Sequence, residues 1–110
     1  MSISQSASYN ETAKASWYSV ATNGGTETAS GEIFSDSEIT VAHKTLPLGT
    51  IVRITNIENG KSVIARVNDR GPYVPNRIVD LSKAAFAKIA DLERGAIIVN
   101  VKTVKTKENN

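Results

Sequence analysis

Hydrophobic and polar residues alternate clearly in two stretches of this chain. Across Ser62–Val67, Val63, Ala65 and Val67 fall on one face, and Ser62 and Arg66 on the other. Across Ala96–Val104, Ile97, Val99 and Val101 alternate with Asn100 and Lys102. A period of two means a strand with one buried face. Ile51–Thr55 is dense in Val, Ile and Thr, and Ala15–Val20 also suits a strand. Glu58-Asn59-Gly60-Lys61 lies between two of these runs, and Asn-Gly readily supplies positive φ, so a hairpin turn is predicted there. One helix is predicted over Lys83–Ala90, with Ser82 as N-cap and Ala85, Phe86 and Ile89 on one side. Asp80 is expected to help tie that helix start.

Polar segments at 1–12 and 105–110 are read as flexible, which leaves 13–104 as one domain. A weak repeat runs through it. Leu46-Pro47-Leu48-Gly49-Thr50-Ile51-Val52 parallels Leu92-Glu93-Arg94-Gly95-Ala96-Ile97-Ile98. Each is a loop with a glycine, followed by an apolar strand, which suggests two similar halves. Several short strands in a chain of this length favour a small closed barrel, because closure leaves no exposed edge.

Composition narrows the chemistry. The net charge of +2 is too small to argue for nucleic acid. The absence of cysteine excludes disulfides and thiolate metal sites, and a single histidine excludes a histidine-rich one. No metal or cofactor is expected. No stretch is long and apolar enough to cross a bilayer as a helix.

Three segments put titratable groups beside glycine or proline: Thr28-Ala29-Ser30-Gly31-Glu32, Thr40-Val41-Ala42-His43-Lys44-Thr45-Leu46-Pro47-Leu48-Gly49, and Asn68-Asp69-Arg70-Gly71-Pro72-Tyr73. Each joins or follows a predicted strand, where a rigid scaffold presents functional loops. Together with Ala15-Ser16-Trp17-Tyr18 and Arg77-Ile78-Val79-Asp80-Leu81-Ser82, in this order, they resemble the rare lipoprotein A family over roughly residues 15–103. Ser19, Glu27 and Val41 depart from the family's usual residues, and none of these departures removes a titratable group.

The resemblance implies an all-β fold, the six-stranded double-psi β-barrel of barwin-like proteins, here with one short helix. It implies lytic transglycosylase activity on peptidoglycan, cutting between MurNAc and GlcNAc on peptide-poor glycan strands and leaving 1,6-anhydro-muramic acid ends. It implies the bacterial cell envelope, periplasmic or secreted, with the signal or lipoprotein anchor absent from this chain, and a monomer whose partner is the glycan. Carried across position by position, the family's functional residues are Asp69, Glu32 and His43.

Breaking a glycosidic bond requires a proton on the leaving oxygen and support for an oxocarbenium-like centre. In lytic cleavage the 6-hydroxyl of muramic acid is the nucleophile, so one carboxyl serves first as acid and then as base. Asp69 is the first choice for that group. The competing reading is an Asp that only bonds its own turn. Arg70 is expected to point away from it, since pairing would hold Asp69 ionised. Glu32 is the second carboxylate, set against an exposed loop glutamate. His43 is expected to meet Asp69 or the substrate, against a histidine satisfied by the backbone. Tyr18, Lys44, Asn68 and Tyr73 are candidate substrate contacts, although Asn68 also suits a loop-shaping role and Lys44 a solvated one. Trp17 suits the core. Two other activities fit the same barrel: an expansin-like module that binds and loosens wall glycan without cutting it, and a plain polysaccharide hydrolase.

Overall fold

A computed structural model of the chain describes residues 9–18, 28, 29, 31, 37–72 and 76–104. Its strands are β1 (Asn10–Tyr18), β2 (Thr40–His43), β3 (Ile51–Asn56), β4 (Ser62–Asp69), β5 (Arg77–Ser82) and β6 (Ala96–Thr103). They close into a barrel in the order β1-β5-β2-β4-β3-β6. Closure pairs every strand on both sides, so no backbone edge is left to solvent.

Two contacts are parallel, β1 with β5 and β2 with β4; the rest are antiparallel. Exchanging β1, β2 and β3 with β4, β5 and β6 reproduces every pairing and its direction. This pseudo-two-fold gives the weak repeat a meaning. Gly49 and Gly95 lead into β3 and β6, which are equivalent strands, and both glycines have positive φ, 97° and 70°. The barrel is thus the six-stranded double-psi architecture expected from the resemblance.

The core comes from the inward faces predicted by alternation. Val63, Ala65 and Val67 of β4 meet Ile97, Val99 and Val101 of β6, together with Val52, Ile54, Val79 and Leu81. Each fully buried Val, Leu or Ile contributes roughly 1.5–3 kcal/mol of transfer free energy. Trp17 packs against this cluster, and its Nε1 donates to the Leu92 carbonyl at 3.0 Å.

One strand, β2, had no alternation to betray it. All four residues of β2 are buried, and β5 mixes buried and half-buried positions. A strand covered on both faces loses the period-two signal. The barrel also starts earlier than the polar N-terminal reading placed it. Residues from Asn10 to Lys14 pair with β6, from Lys102 back to Ile98. Ser19 and Val20 lie outside the described residues.

The helix, α1 (Lys83–Ala87), is shorter than predicted; Lys88 and Ile89 form a turn instead. Ile89 is still fully buried, and its carbonyl accepts from Asn56 Nδ2 at 2.9 Å and Asn59 Nδ2 at 3.0 Å. The hairpin turn is thereby fastened to the helix end. Gly60 supplies the turn's positive φ of 78°.

Ser82 is the N-cap, as the sequence predicts: its Oγ accepts from the Ala85 N–H at 3.2 Å and donates to the Glu38 carbonyl at 2.6 Å. Asp80 takes no part in the cap. Ser82 thus joins α1 to the segment entering β2 at a fully buried position. Loss of a serine N-cap costs about 0.5–2 kcal/mol, and about 1 kcal/mol shifts Tm by roughly 4–8 °C in a domain of this size. Ser82→Ala is expected to lower Tm by roughly 5–10 °C in a thermal circular dichroism melt. A shift below about 1 °C would show that the joint bears no load.

Candidate functional site

Asp69 ends β4, and its direction is set by a bulge. Val67 pairs with Val41 of β2, and Asp69 pairs with the next residue, Ala42. Asn68 is therefore an extra residue on β4. Without it, strict alternation would put Asp69 on the core side with Val67. The bulge turns Asp69 to the outer face of the barrel instead, which is a common way to re-aim a side chain near a site. Asn68 itself is only 2 % exposed. It shapes the strand end and does not present itself as an open substrate contact.

Asp69 is half-buried. Its Oδ1 accepts from the Ala29 N–H at 2.9 Å and the Arg70 N–H at 2.8 Å. Ala29 belongs to the first of the three singled-out segments, so that segment does reach Asp69. It is folded by a turn in which Gly31 N–H donates to the Thr28 carbonyl at 2.9 Å. Glu32 and Tyr73 lie outside the described residues. Arg70 points elsewhere, as expected. Its Nη1 donates to the carbonyls of Leu46 at 2.7 Å and His43 at 3.2 Å.

The pairings extend Asp69 into a row. Ala42 pairs with Asp69 on one side and Asp80 on the other, and Asp80 pairs with Ser16. The row Asp69–Ala42–Asp80–Ser16 thus crosses four adjacent strands on the outer face. Tyr18 follows Ser16 by two residues on the same face of β1. Burial first, then the charges of Asp69 and Asp80, push the Tyr18 phenol well above its ordinary pKa. Asp80 was absent from the sequence-predicted site, because its Asp-Leu-Ser context reads equally well as a helix start.

His43 lies on the other face of β2 from Ala42. It pairs with Val79, a core residue, and its side chain is only 3 % exposed. Adjacent residues of a strand face opposite sides, so His43 lies across the sheet from the Ala42 row. Its Nδ1 accepts the N–H groups of Thr45 and Leu46, both at 3.1 Å. The Nε2 has no hydrogen-bond partner among the described residues. The Tyr9 ring meets the imidazole edge-on, with centroids 5.0 Å apart. His43 thus holds the loop after β2 by backbone bonds, and no bond joins it to Asp69 among the described residues. Lys44 is exposed and, with His43, Tyr9, Glu11, Thr45 and Ile78, lines a cavity of about 230 Å³. Neither this cavity nor those of about 480 Å³ and 610 Å³ on neighbouring faces is lined by Asp69 or Asp80.

The histidine carries a pH signature. Desolvation lowers its pKa from the ordinary 6.5, Glu11 opposes this, and Arg70 and Lys44 add to it. As pH falls, the unfolded chain therefore takes up the proton first. The stability that depends on neutral His43 is fully present above about pH 6.5 and is lost as pH falls towards the folded value. The Tm of the parent chain is expected to fall more steeply between about pH 7.5 and 5 than that of His43→Gln. Parallel Tm curves would show that the ring does not titrate with unfolding. His43→Gln should also melt lower throughout, since it leaves two loop N–H groups less well satisfied.

The same chain has recognisable relatives. The family described as "Lytic transglycolase" matches residues 10–101. "Endolytic peptidoglycan transglycosylase RlpA" of Neisseria meningitidis is 46% identical over 100 residues, covering 91% of this chain and 41% of that protein. The same-named Pseudomonas aeruginosa protein is 48% identical over 96 residues, covering 87% and 28%. "Probable endolytic peptidoglycan transglycosylase RlpA" of Treponema pallidum is 52% identical over 87 residues, covering 79% and 27%. This chain thus spans well under half the length of these relatives. Among solved structures, the Streptomyces papain inhibitor superposes with a TM-score of 0.72 at 28% identity, covering 88% of this chain and 96% of that one. A Clavibacter michiganensis expansin superposes with a TM-score of 0.67 at 23% identity, covering 88% and 51%, which is a likeness of fold. With the barrel closed in the expected order and the match running from β1 into β6, the chain belongs to the double-psi β-barrel lytic transglycolase family.

Proposed function

We propose that this domain is a peptidoglycan lytic transglycosylase of the bacterial cell envelope, with Asp69 as its acid and base. The observation that carries the reading is the seating of Asp69. A bulge turns it outward, two backbone N–H groups hold its Oδ1, and the neighbouring arginine is diverted to carbonyl groups. A carboxyl so fixed, on an outer strand-end face, is suited to proton transfer at a bound glycan. The names and high identity of the relatives support peptidoglycan as the substrate.

The reaction is balanced without water. The Asp69 carboxyl gives its proton to the glycosidic oxygen between MurNAc C1 and GlcNAc C4. The C1–O bond breaks, with its electron pair leaving on that oxygen. The C6 hydroxyl oxygen of the same muramic acid bonds to C1, and its proton passes to the Asp69 carboxylate. The products are a 1,6-anhydro-muramic acid end and a free GlcNAc 4-hydroxyl, and Asp69 has its proton back. Glu32 is assigned to electrostatic support of the anomeric carbon, with Tyr18 and Tyr73 along the glycan. His43 positions the loop carrying Lys44. The family resemblance supports peptide-poor strands as the better substrate.

Incubating the chain with purified peptidoglycan, intact and amidase-stripped, tests this by mass spectrometry of the soluble products. The expected fragments end in 1,6-anhydro-muramic acid and form faster from stripped strands. Asp69→Asn keeps an Oδ1 acceptor for Ala29 and Arg70 but no titrating proton. It is expected to cut at least about 100-fold more slowly, the usual scale of general acid–base catalysis, with Tm unchanged within about 2 °C. Products with reducing ends alone would assign a hydrolase. Binding to the wall with no soluble product would assign an expansin-like module.

A further inference from the structure

The outer face of β3 and β6 takes no part in the reaction above. In the ring β1-β5-β2-β4-β3-β6, β3 lies across from β5 and β6 across from β2. This face therefore looks away from the middle of the row that ends in Asp69. It carries an arrangement that a sheet does not adopt for its own stability. Arg53 of β3 stands directly opposite Lys102 of β6 in the antiparallel register, and both side chains are exposed. Like charges so placed are destabilising, because the Cβ atoms of such a pair are only roughly 4.5–5.5 Å apart. Neither cation has an ion-pair partner among the described residues. Lys14 of β1 pairs with Ile98 of β6 and adds a third exposed cation. No carboxylate stands among the outward residues of β3 and β6. At the rim, Glu58 is taken by Arg94 at 2.8 Å.

Isoleucines are interleaved with these cations. Of the four exposed large hydrophobic side chains among the described residues, Ile57, Ile64 and Ile98 all lie here. Ile64 pairs with Arg53, and Ile57 donates its N–H to the Ile98 carbonyl at 3.2 Å. Two rows result, Ile64–Arg53–Lys102 and Ile57–Ile98–Lys14. They cross β6 four residues apart, a distance of about 13 Å. The face thus offers positive charge and apolar surface together, over a broad and gently curved area.

We infer that the β3–β6 face docks the domain on an anionic phospholipid bilayer, with Arg53, Lys102 and Lys14 on the headgroup phosphates and Ile57, Ile64 and Ile98 at the acyl boundary. Negative charge laid over Arg53 and Lys102 turns a repulsive pair into a joint anion contact. A soluble polyanion would do the same for the cations but would leave the isoleucines in water, whereas a bilayer interface takes both. A second copy of the chain would set cations against cations. The docking stands independently of the glycan-cleaving reading and gives that reading a direction. With β3 and β6 on the lipid, β2 and β5 face away from it, toward a polymer lying above the membrane.

Co-sedimentation with vesicles tests this, comparing equal parts phosphatidylglycerol and phosphatidylcholine with phosphatidylcholine alone. The parent chain is expected to bind only the anionic vesicles and to be released as added salt screens the headgroups. The double variant Arg53→Gln/Lys102→Gln is expected to bind roughly 25-fold more weakly, at about fivefold for each cation. Its Tm should be unchanged or higher, since the like-charge pair is gone. Ile64→Thr/Ile98→Thr keeps every charge and is expected to weaken vesicle binding at least about fivefold. Purified peptidoglycan should pull down both variants as it does the parent. A parent that ignores anionic vesicles, or variants that bind them as the parent does, overturns the inference. Weak binding by the charge variant alone would assign the face to a soluble polyanion, and loss of peptidoglycan pull-down in both would assign it to the wall. A parent dimer in sedimentation velocity that the isoleucine variant dissociates would assign it to a second copy. Each of these three results also overturns lipid docking.

Discussion

Everything at the candidate site depends on β2 being wedged between β4 and β5. It is four residues long and all four are buried. It runs parallel to β4 and antiparallel to β5, and it joins the second half of the chain across the pseudo-two-fold. Val41 is a core residue, whereas Ala42 turns outward and spaces the two aspartates. A larger side chain at Ala42 would separate the carboxylates, and a polar one at Val41 would be buried without a partner at a cost of about 1–3 kcal/mol. The short strand thus fixes both the closure of the barrel and the separation of the groups on its surface.

The bulge at Asn68 transmits that constraint to the chemistry. Strand geometry alone would bury a carboxylate at the end of β4. One inserted residue instead keeps Val67 in the core and brings Asp69 into register with Ala42. A second register shift falls between Lys14 and Ala15 of β1, opposite β5. These two shifts occur in the equivalent parallel pairs, β2–β4 and β1–β5. Because Ala42 and Asp80 pair across the pseudo-two-fold, their outer neighbours Asp69 and Ser16 occupy corresponding places at the two ends of the same row. One half of the barrel ends the row in a hydroxyl bonded to Asp80, and the other ends it in a carboxylate.

Much of this was legible in the sequence, and the exceptions have physical causes. β3, β4 and β6 announced themselves because each has one solvated face. The Asn59-Gly60 turn and the Ser82 cap were readable from single residues with strong backbone preferences. β2 was not, because all four of its residues are buried and burial on both faces removes alternation. The first half of β1 was missed for the opposite reason. Asn10 to Lys14 is held to β6 by backbone hydrogen bonds, with side chains that are mostly exposed and carry no pattern. Asp69 was singled out by its Asn-Asp-Arg-Gly-Pro context. The bulge that aims it has no signature, since nothing in Val-Asn-Asp shows which residue is the extra one. Asp80 was read as a helix tie because Asp and Ser two residues apart are both good caps, and only the observed bonds decide which one caps.

His43 shows how a residue can sit beside the site in sequence and still act through the backbone. Its ring is on the core side, yet it is one peptide from Ala42. Its Nδ1 accepts two loop N–H groups, which requires that nitrogen to be unprotonated. The carbonyls of His43 and Leu46 accept from Arg70, and the Arg70 N–H holds Asp69. One connected set of hydrogen bonds therefore runs from a neutral imidazole, through the loop after β2, to the carboxylate on the outer face. Each member has only local partners, but together they keep a cation from pairing with Asp69. A histidine in this place therefore bears on the candidate site by holding the loop whose carbonyls keep the arginine engaged elsewhere.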